Sequence, residues 1–326
     1  MTGFLVRSRA WMIGIAALLA AAFAAAPPAA ADSYPSQLVK IIVPFTAGSV
    51  TDIMARIIAD EMSQKWGQKV IVENRPGISG TIAVAQAKPD GYTLMLTSNG
   101  HTVAGLVNKD LTFDPVRDFV GITRVCSAPY VLIVNPEVKA DSLKELIALA
   151  KANPGKYNFS SPGLASSTFI GGALFRKAAG IDIVHVPYKG APESVMAVLR
   201  GDAQMYFAPI NLAKELAEAG KVRAIALATP TRNPSMPNIP TFTEAGLPFT
   251  YDGWFGLMAP KGVPKEIIAK INADVVAMLH TPEAQAKLAA QYVIPVTDTP
   301  DGFDKIIRDD TANLTQVFKE AGIGSN

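Results

Sequence analysis

Cysteine is almost absent. Cys126 is the only one, so no internal disulfide can staple the chain and no thiolate cluster can hold a metal. Its context, Val125-Cys126-Ser127-Ala128, reads as buried apolar filler. Histidine is nearly as scarce. His101, His185 and His280 are scattered and lack metal-ligand spacing. His185 sits among Ile183, Val184 and Val186 and reads as a structural or surface residue; His101 follows Ser98-Asn99-Gly100, where it could line a cleft. The phosphate-cradling GxGxxG and GxxxxGK[ST] patterns are missing, as are the nucleophile elbow GxSxG and the zinc motif HExxH. The acids are spread over helix faces, and no carboxylate pair is set for acid–base work. A nucleophile–base pair cannot be assembled, and neither a metal nor an organic cofactor is indicated.

Net charge is also small, +2 for 326 residues. Arg7 and Arg9 account for it, and the apolar stretch from Trp11 to about Ala26 and the run Ala29-Ala30-Ala31 follow them. That order is a secretory signal peptide, residues 1–31, with cleavage expected after Ala31. The apolar run falls short of the ~20 residues of a membrane span. No cysteine stands at the cut to carry a lipid, and Ser8 separates the arginines, which breaks the twin-arginine pattern. The chain that remains is neutral and gives no electrostatic case for nucleic acid or an anionic membrane. Its length suggests two domains.

Strands and helices alternate along it. Val39 to Val43 reads as a strand. A helix follows from about Thr51 to Trp66, with Met54, Ile58, Met62 and Trp66 four residues apart on one apolar stripe. Strands at 70–73 and 93–97 complete a first α/β unit. A second unit has helices near 142–152, 167–179 and 192–199 between strands at 157–159, 183–186, 204–207 and 222–227. A strand at 253–258 and helices near 264–279, 282–290 and 300–321 close the chain. Such alternation predicts βαβ units and mainly parallel sheets flanked by helices, with a ligand site in the cleft between the units, near the carboxyl ends of the strands.

One arrangement occurs twice. A strand runs into Pro44-Phe45-Thr46-Ala47-Gly48-Ser49-Val50-Thr51-Asp52 and then a helix; another runs into Ser160-Ser161-Pro162-Gly163-Leu164-Ala165-Ser166-Ser167-Thr168 and then a helix. Each is a small-residue loop at a helix N-terminus, where free N–H groups and the positive dipole end favour an anion. Each is equally a well-capped helix start. The pair, one per unit, suits a ligand with a carboxylate at one or both ends.

The chain resembles the solute receptors of tripartite tricarboxylate transporters, the Bug (Bordetella uptake gene) family. The resemblance covers nearly the whole chain after the leader. It rests on Tyr34-Pro35, Ile42-Val43-Pro44-Phe45 with Gly48 and Asp52, Val72-Glu73-Asn74-Arg75-Pro76-Gly77 with Gly80, and Pro89-Asp90-Gly91-Tyr92-Thr93-Leu94. It continues through Asp114-Pro115, Asp118-Phe119, Val186-Pro187-Tyr188-Lys189-Gly190, Pro240-Thr241 and Glu244-Ala245-Gly246, in that order. It implies a periplasmic protein with a two-lobed flytrap fold, monomeric, whose two loops hold a ligand carboxylate and which delivers its cargo to a two-component membrane permease. The expected division is residues 32–128 and 256–326 for lobe 1 and 129–255 for lobe 2, with crossings near Pro129 and Tyr251. Trp254 reads as hinge or core.

The chain departs from the family pattern in places. Ser49 follows Gly48 where Gly-Gly is usual, Ala165 and Phe169 stand where the second loop usually carries Gly and His, and Ala208 stands where amino-acid binders place an Asp. These departures point to a carboxylate without an amino group and with an apolar body, either an aliphatic dicarboxylate or an aromatic acid, with Phe169 as a possible wall. The expected contact residues are Phe45, Ala47, Gly48, Ser49 and Thr51 on the first loop, Thr97, Ser98 and Asn99 at a third strand end, and Ser161, Gly163, Ala165, Ser166, Ser167, Phe169 and Ala208 on the second unit. A periplasmic co-receptor for a signalling system is the alternative role, and a secreted enzyme a more distant one.

Overall fold

The computed structural model describes residues 34–108 and 111–320; the expected leader, residues 1–31, lies outside them. Strand β1 (Val39–Val43) is an interior strand. Ile41, Ile42 and Val43 are buried in succession, so both faces are covered. It lies between β2 (Val70–Asn74) and β3 (Thr93–Ser98) and runs parallel to both. Helix α1 (Val50–Trp66) carries the chain from β1 to β2. Met54, Ile58 and Met62 are its buried stripe, and Gly67 ends it in the left-handed conformation at φ 62°. Helix α2 (Ile78–Ala85) makes the next crossover. A 3-10 turn at Asn99–Val103 and the one-turn α3 (Ala104–Val107) follow β3.

Strand β4 (Phe119–Val134) joins two halves of the sheet. Its first part pairs antiparallel with β9 (Asp252–Pro260), from Phe119 opposite Pro260 to Pro129 opposite Asp252. From Tyr130 to Val134 it pairs instead with β7 (Met205–Pro209) and, from Val131, with β8 (Arg223–Leu227). The exchange falls at Pro129, which has no N–H to continue a ladder. The first half has the order β2-β1-β3-β9-β4, with the short β10 (Ile294–Pro295) also on β4. The second runs from β4 through β7 to β5 (Asn158–Ser161) and β6 (Val184–Pro187). Helices α4 (Leu143–Ala152), α5 (Ser167–Ala179), α6 (Ala191–Arg200) and α7 (Ile210–Glu218) belong to the second half. Helices α8 (Lys265–Leu279), α9 (Pro282–Ala289) and α10 (Pro300–Glu320) end the chain.

The fold is α/β, and its sheet is mixed where mainly parallel pairing was expected. Parallel pairs occupy the outer ends, but every pairing of β4 and β9 is antiparallel. Sequence reading placed no strand over 119–134; glycine and proline, here Gly121 and Pro129, are disfavoured in strand interiors, and the nearly continuous burial erases alternation. It also missed α2 and α7.

Helix α10 docks onto the first half through Phe303. The ring is fully buried and meets Trp254 edge-on at 5.0 Å. It occupies a slot that exists because positions 121 and 256 are glycines: a Cβ on Gly256 would stand 2.2 Å from Phe303 Cζ, and one on Gly121 2.8 Å from Phe303 Cδ1. Trp254 Nε1 donates to Asp310 Oδ2 at 2.7 Å, a second tether, which places Trp254 in the core. Phe303→Ala is expected to destabilise by ~3–5 kcal/mol through the cavity it leaves, and Gly256→Ala by ~1–3 kcal/mol through overpacking. Both would appear as lower urea midpoints with unchanged m-values.

Candidate functional site

The first loop is held in shape by one carboxylate. Ser49 caps α1, its Oγ accepting from the Asp52 N–H at 3.2 Å. Asp52 Oδ2 reaches back to accept from the Gly48 N–H at 3.0 Å and from Arg56 Nε at 3.2 Å. Asp52 Oδ1 accepts from Asn74 Nδ2 at 2.9 Å, and that amide also donates to the Phe45 carbonyl at 3.1 Å. Gly48 has φ 80°, which an L side chain rarely adopts. Burial alone would raise the Asp52 pKa, but the hydrogen bonds from Arg56, Gly48 and Asn74 together outweigh it and hold the carboxyl below its ordinary range. Asp52 therefore shapes the loop.

The second loop is built on hydroxyls. Ser166 caps α5, its Oγ accepting from the Phe169 N–H at 3.2 Å and donating to the Gly163 carbonyl at 2.6 Å. Ser161 Oγ accepts from the Gly163 N–H at 3.1 Å, and Gly163 has φ 120°. In both helices the cap takes the third amide. The first two, on Val50 and Thr51 in α1 and on Ser167 and Thr168 in α5, have no acceptor within their own helix.

These two helix starts border one small inner cavity of about 50 Å³. Ser49, Thr51, Ser98, Ser166, Ser167 and Thr168 line it with hydroxyl side chains, and Phe45, Tyr130, Tyr206, Pro209 and Phe255 add aromatic and apolar wall. No charged side chain lines it. Burial pushes both tyrosine pKa values up, so the phenols stay protonated. A wider outer cavity of about 300 Å³ shares Phe45 and Pro162 with the inner one. Pro44, Thr46, Pro76, Ile78, Thr81, Thr97, His101, Ala104, Asn108, Gly163, Leu164, Ala165, Pro187, Lys189 and Gly190 are among its wall residues. The pair of cavities thus joins a neutral, donor-rich end to a mostly apolar chamber.

The expected contact residues are spread over the two cavities, the surface and the core. Phe45, Ser49, Thr51, Ser98, Ser166 and Ser167 meet at the inner cavity, and Thr97, Gly163 and Ala165 at the outer one. Ala47 and Gly48 are exposed and line neither. Asn99 is a joint: its Nδ2 donates to Tyr251 Oη at 3.0 Å, its Oδ1 accepts from Ser167 Oγ, and Tyr251 Oη donates to the Ser167 carbonyl at 2.7 Å. Phe169 is corrected from wall to core. It is buried against Phe159, His185 and Phe318, with centroids 6.3, 4.6 and 5.7 Å away. Ala208 is likewise core, opposite Val131 in the β4–β7 ladder; its neighbour Pro209 reaches the inner cavity instead.

Sequence reasoning missed Tyr130, Thr168, Tyr206 and Phe255 at the inner cavity and Lys189 at the outer one. Tyr130 and Phe255 lie on strands whose pairing only the structure reveals. It also assembled no serine–histidine pair, yet Ser161 Oγ lies 2.7 Å from His185 Nε2. The partners sit on neighbouring parallel strands 24 residues apart, so spacing could not reveal them. Neither lines the inner or the outer cavity, and aromatic rings cover the imidazole. The pair braces the second loop.

The model of the Tripartite tricarboxylate transporter family receptor matches residues 54–323. The chain belongs to that family. Members of this receptor family are periplasmic solute-binding proteins. Protein BugT of Bordetella pertussis is 34% identical over 317 residues, 95% of this chain and 97% of that protein. Among solved structures, R. palustris Rpa4515 with adipate is 32% identical with a TM-score of 0.82, covering 89% of this chain and 99% of that one. MatC from Rhodopseudomonas palustris with bound malate is 29% identical with a TM-score of 0.81, covering 87% and 99%. The receptor thus has the two-lobed periplasmic-binding-protein fold.

One buried histidine, His101, and one partly buried one, His185, give the receptor a pH signature. Burial lowers the pKa of His101 to about 4; it is wedged between Phe113 and Phe119, with Nε2 donating to the Pro115 carbonyl at 2.7 Å. Burial does the same to His185, also to about 4. Unfolded, each ring protonates near pH 6.5. As pH falls below 6.5 the unfolded state takes up protons that the folded state refuses, so stability declines down to about pH 4 and then levels for these groups. The loss is at most about 3 kcal/mol per ring. Denaturant midpoints measured from pH 7 to pH 4 are expected to fall, and less steeply in His185→Gln.

Proposed function

We propose that this chain is a periplasmic receptor that binds a small carboxylate without an amino group, either an aliphatic dicarboxylate or an aromatic acid, and passes it to a two-component permease of the tripartite tricarboxylate type. The observation that carries this reading is the convergence of two capped helix starts on one uncharged, hydroxyl-lined cavity. Free amides and the positive ends of two helix dipoles favour an anion there. The adjoining chamber is mostly apolar and large enough for a carbon skeleton. Family membership and the carboxylates named with the two R. palustris structures support the same ligand class.

The exclusion of amino acids rests on the walls. Among the described residues no Asp or Glu lines either cavity, which leaves a ligand ammonium without an anionic partner there. Binding is proposed to draw together lobe 1, residues 32–128 and 256–326, and lobe 2, residues 129–255, about the strand segments near Pro129 and Tyr251. A ligand that bridges both loops favours the closed arrangement by its differential affinity for it. The chain is read as a binder with no chemical step of its own.

A thermal-shift series on the protein without its leader tests this. Linear diacids, citrate, aromatic mono- and diacids, aspartate and glutamate form the panel. A ligand at ~100 times its Kd is expected to stabilise the fold by about 2.7 kcal/mol, with non-amino acids giving the larger shifts. Tighter binding of aspartate or glutamate than of every non-amino diacid would overturn the ligand class.

A further inference from the structure

Lys189 has no part in the carboxylate-loop arrangement, yet among the described residues it is the one charged side chain that lines the two cavities. It lies in the turn between β6 and α6, next to Gly190, at the outer cavity. Its main-chain N–H donates to Glu193 Oε2 at 3.2 Å, while its ammonium forms no ion pair among the described residues. Thr46, across from this turn on the first loop, is in such close contact that a Cβ on Gly190 would stand 2.4 Å from its Oγ1. Lys189 therefore stands where the first loop meets the second half of the sheet, and no acid among the described residues lines the outer chamber with it.

The two cavities differ in what they ask of a ligand. The inner one has room for little more than a carboxylate, and the outer one is about six times larger by the two volumes above, 50 and 300 Å³. A four-atom skeleton would leave much of the outer chamber empty, whereas a longer skeleton would carry its far end toward the exposed Lys189 at the rim. We infer that Lys189 is a specificity-determining residue that pairs with a second acidic group at the far end of the ligand, selecting dianionic acids with an extended or aromatic spacer over monoacids of the same skeleton. This rests on the carboxylate-receptor reading above and adds the distal group to it. The charge acts at a partly solvated rim, so its contribution falls as salt rises.

The test uses matched pairs of ligands and titration calorimetry on the full chain without its leader. The probes are the linear C4 to C8 diacids against their monoacids, and terephthalate against benzoate. In the unmodified protein the best diacid is expected to bind about tenfold or more tighter than its monoacid, the scale of one charge-assisted hydrogen bond. Lys189→Gln is expected to remove most of that preference while monoacid binding and the melting temperature stay unchanged, and the preference of the unmodified protein should shrink between low and high salt. Lys189→Arg, which keeps the charge, should retain it. Equal binding of diacid and monoacid, or a preference that survives in Lys189→Gln, overturns the role of Lys189 and leaves the receptor reading intact. Failure of every acid to bind the unmodified protein overturns both.

Discussion

Strand β4 belongs to both halves of the sheet, and that shared backbone governs everything else. Its ladder with β9 ends at Pro129 and its ladders with β7 and β8 begin one or two residues later. Main-chain hydrogen bonds leave little freedom in how far apart the flanking parallel strands lie. Strands β1 and β5 each end in a loop that opens a helix, and β4 and its partners hold those loops opposite one another. Cys126 and Tyr130 are buried on this same strand, one in the first half and one at the inner cavity. The strand is thus scaffold at one end and site wall at the other.

The site separates shaping from binding. Asp52, Asn74 and Arg56 shape the first loop; Ser161 and His185 brace the second. These side chains spend their hydrogen bonds on the protein itself. What is left for a ligand is main-chain N–H groups and a ring of neutral hydroxyls. Such donors carry no net charge, so they impose no large desolvation cost on the empty site, and they hold an anion through dipoles already fixed in direction.

How much of this could be seen in the sequence follows from the range of each interaction. Caps and glycine turns are local, so the two loops at Gly48-Ser49 and Gly163-Ser166 announced themselves, as did the stripe Met54, Ile58, Met62. The strand β4 did not, because Gly121 and Pro129 carry the local marks of a break while its pairing is made with distant residues, from Val134 opposite Met205 to Phe119 opposite Pro260. The brace between Ser161 and His185 depends on the parallel register of β5 and β6. Phe169 was misplaced for a related reason: its position in the first turn of α5 was legible, but not the presence of Phe318 from the last helix on the same spot. Lys189 stood within the motif that carries the family resemblance, yet its place on the wall of the outer cavity is a property of space.

Where Gly100 meets Ala165, main chain touches main chain: a Cβ at position 100 would lie 2.2 Å from the Ala165 carbonyl oxygen. This contact works as a mechanical stop. The first and second halves can come no closer at that point whatever the neighbouring side chains are. The gauge of the binding space is therefore cut by backbone, and its chemistry is painted on separately by the residues around it. Lining residues can be exchanged to suit another acid without resetting the gap, and a single methyl group at position 100 would reset the gap without touching the lining.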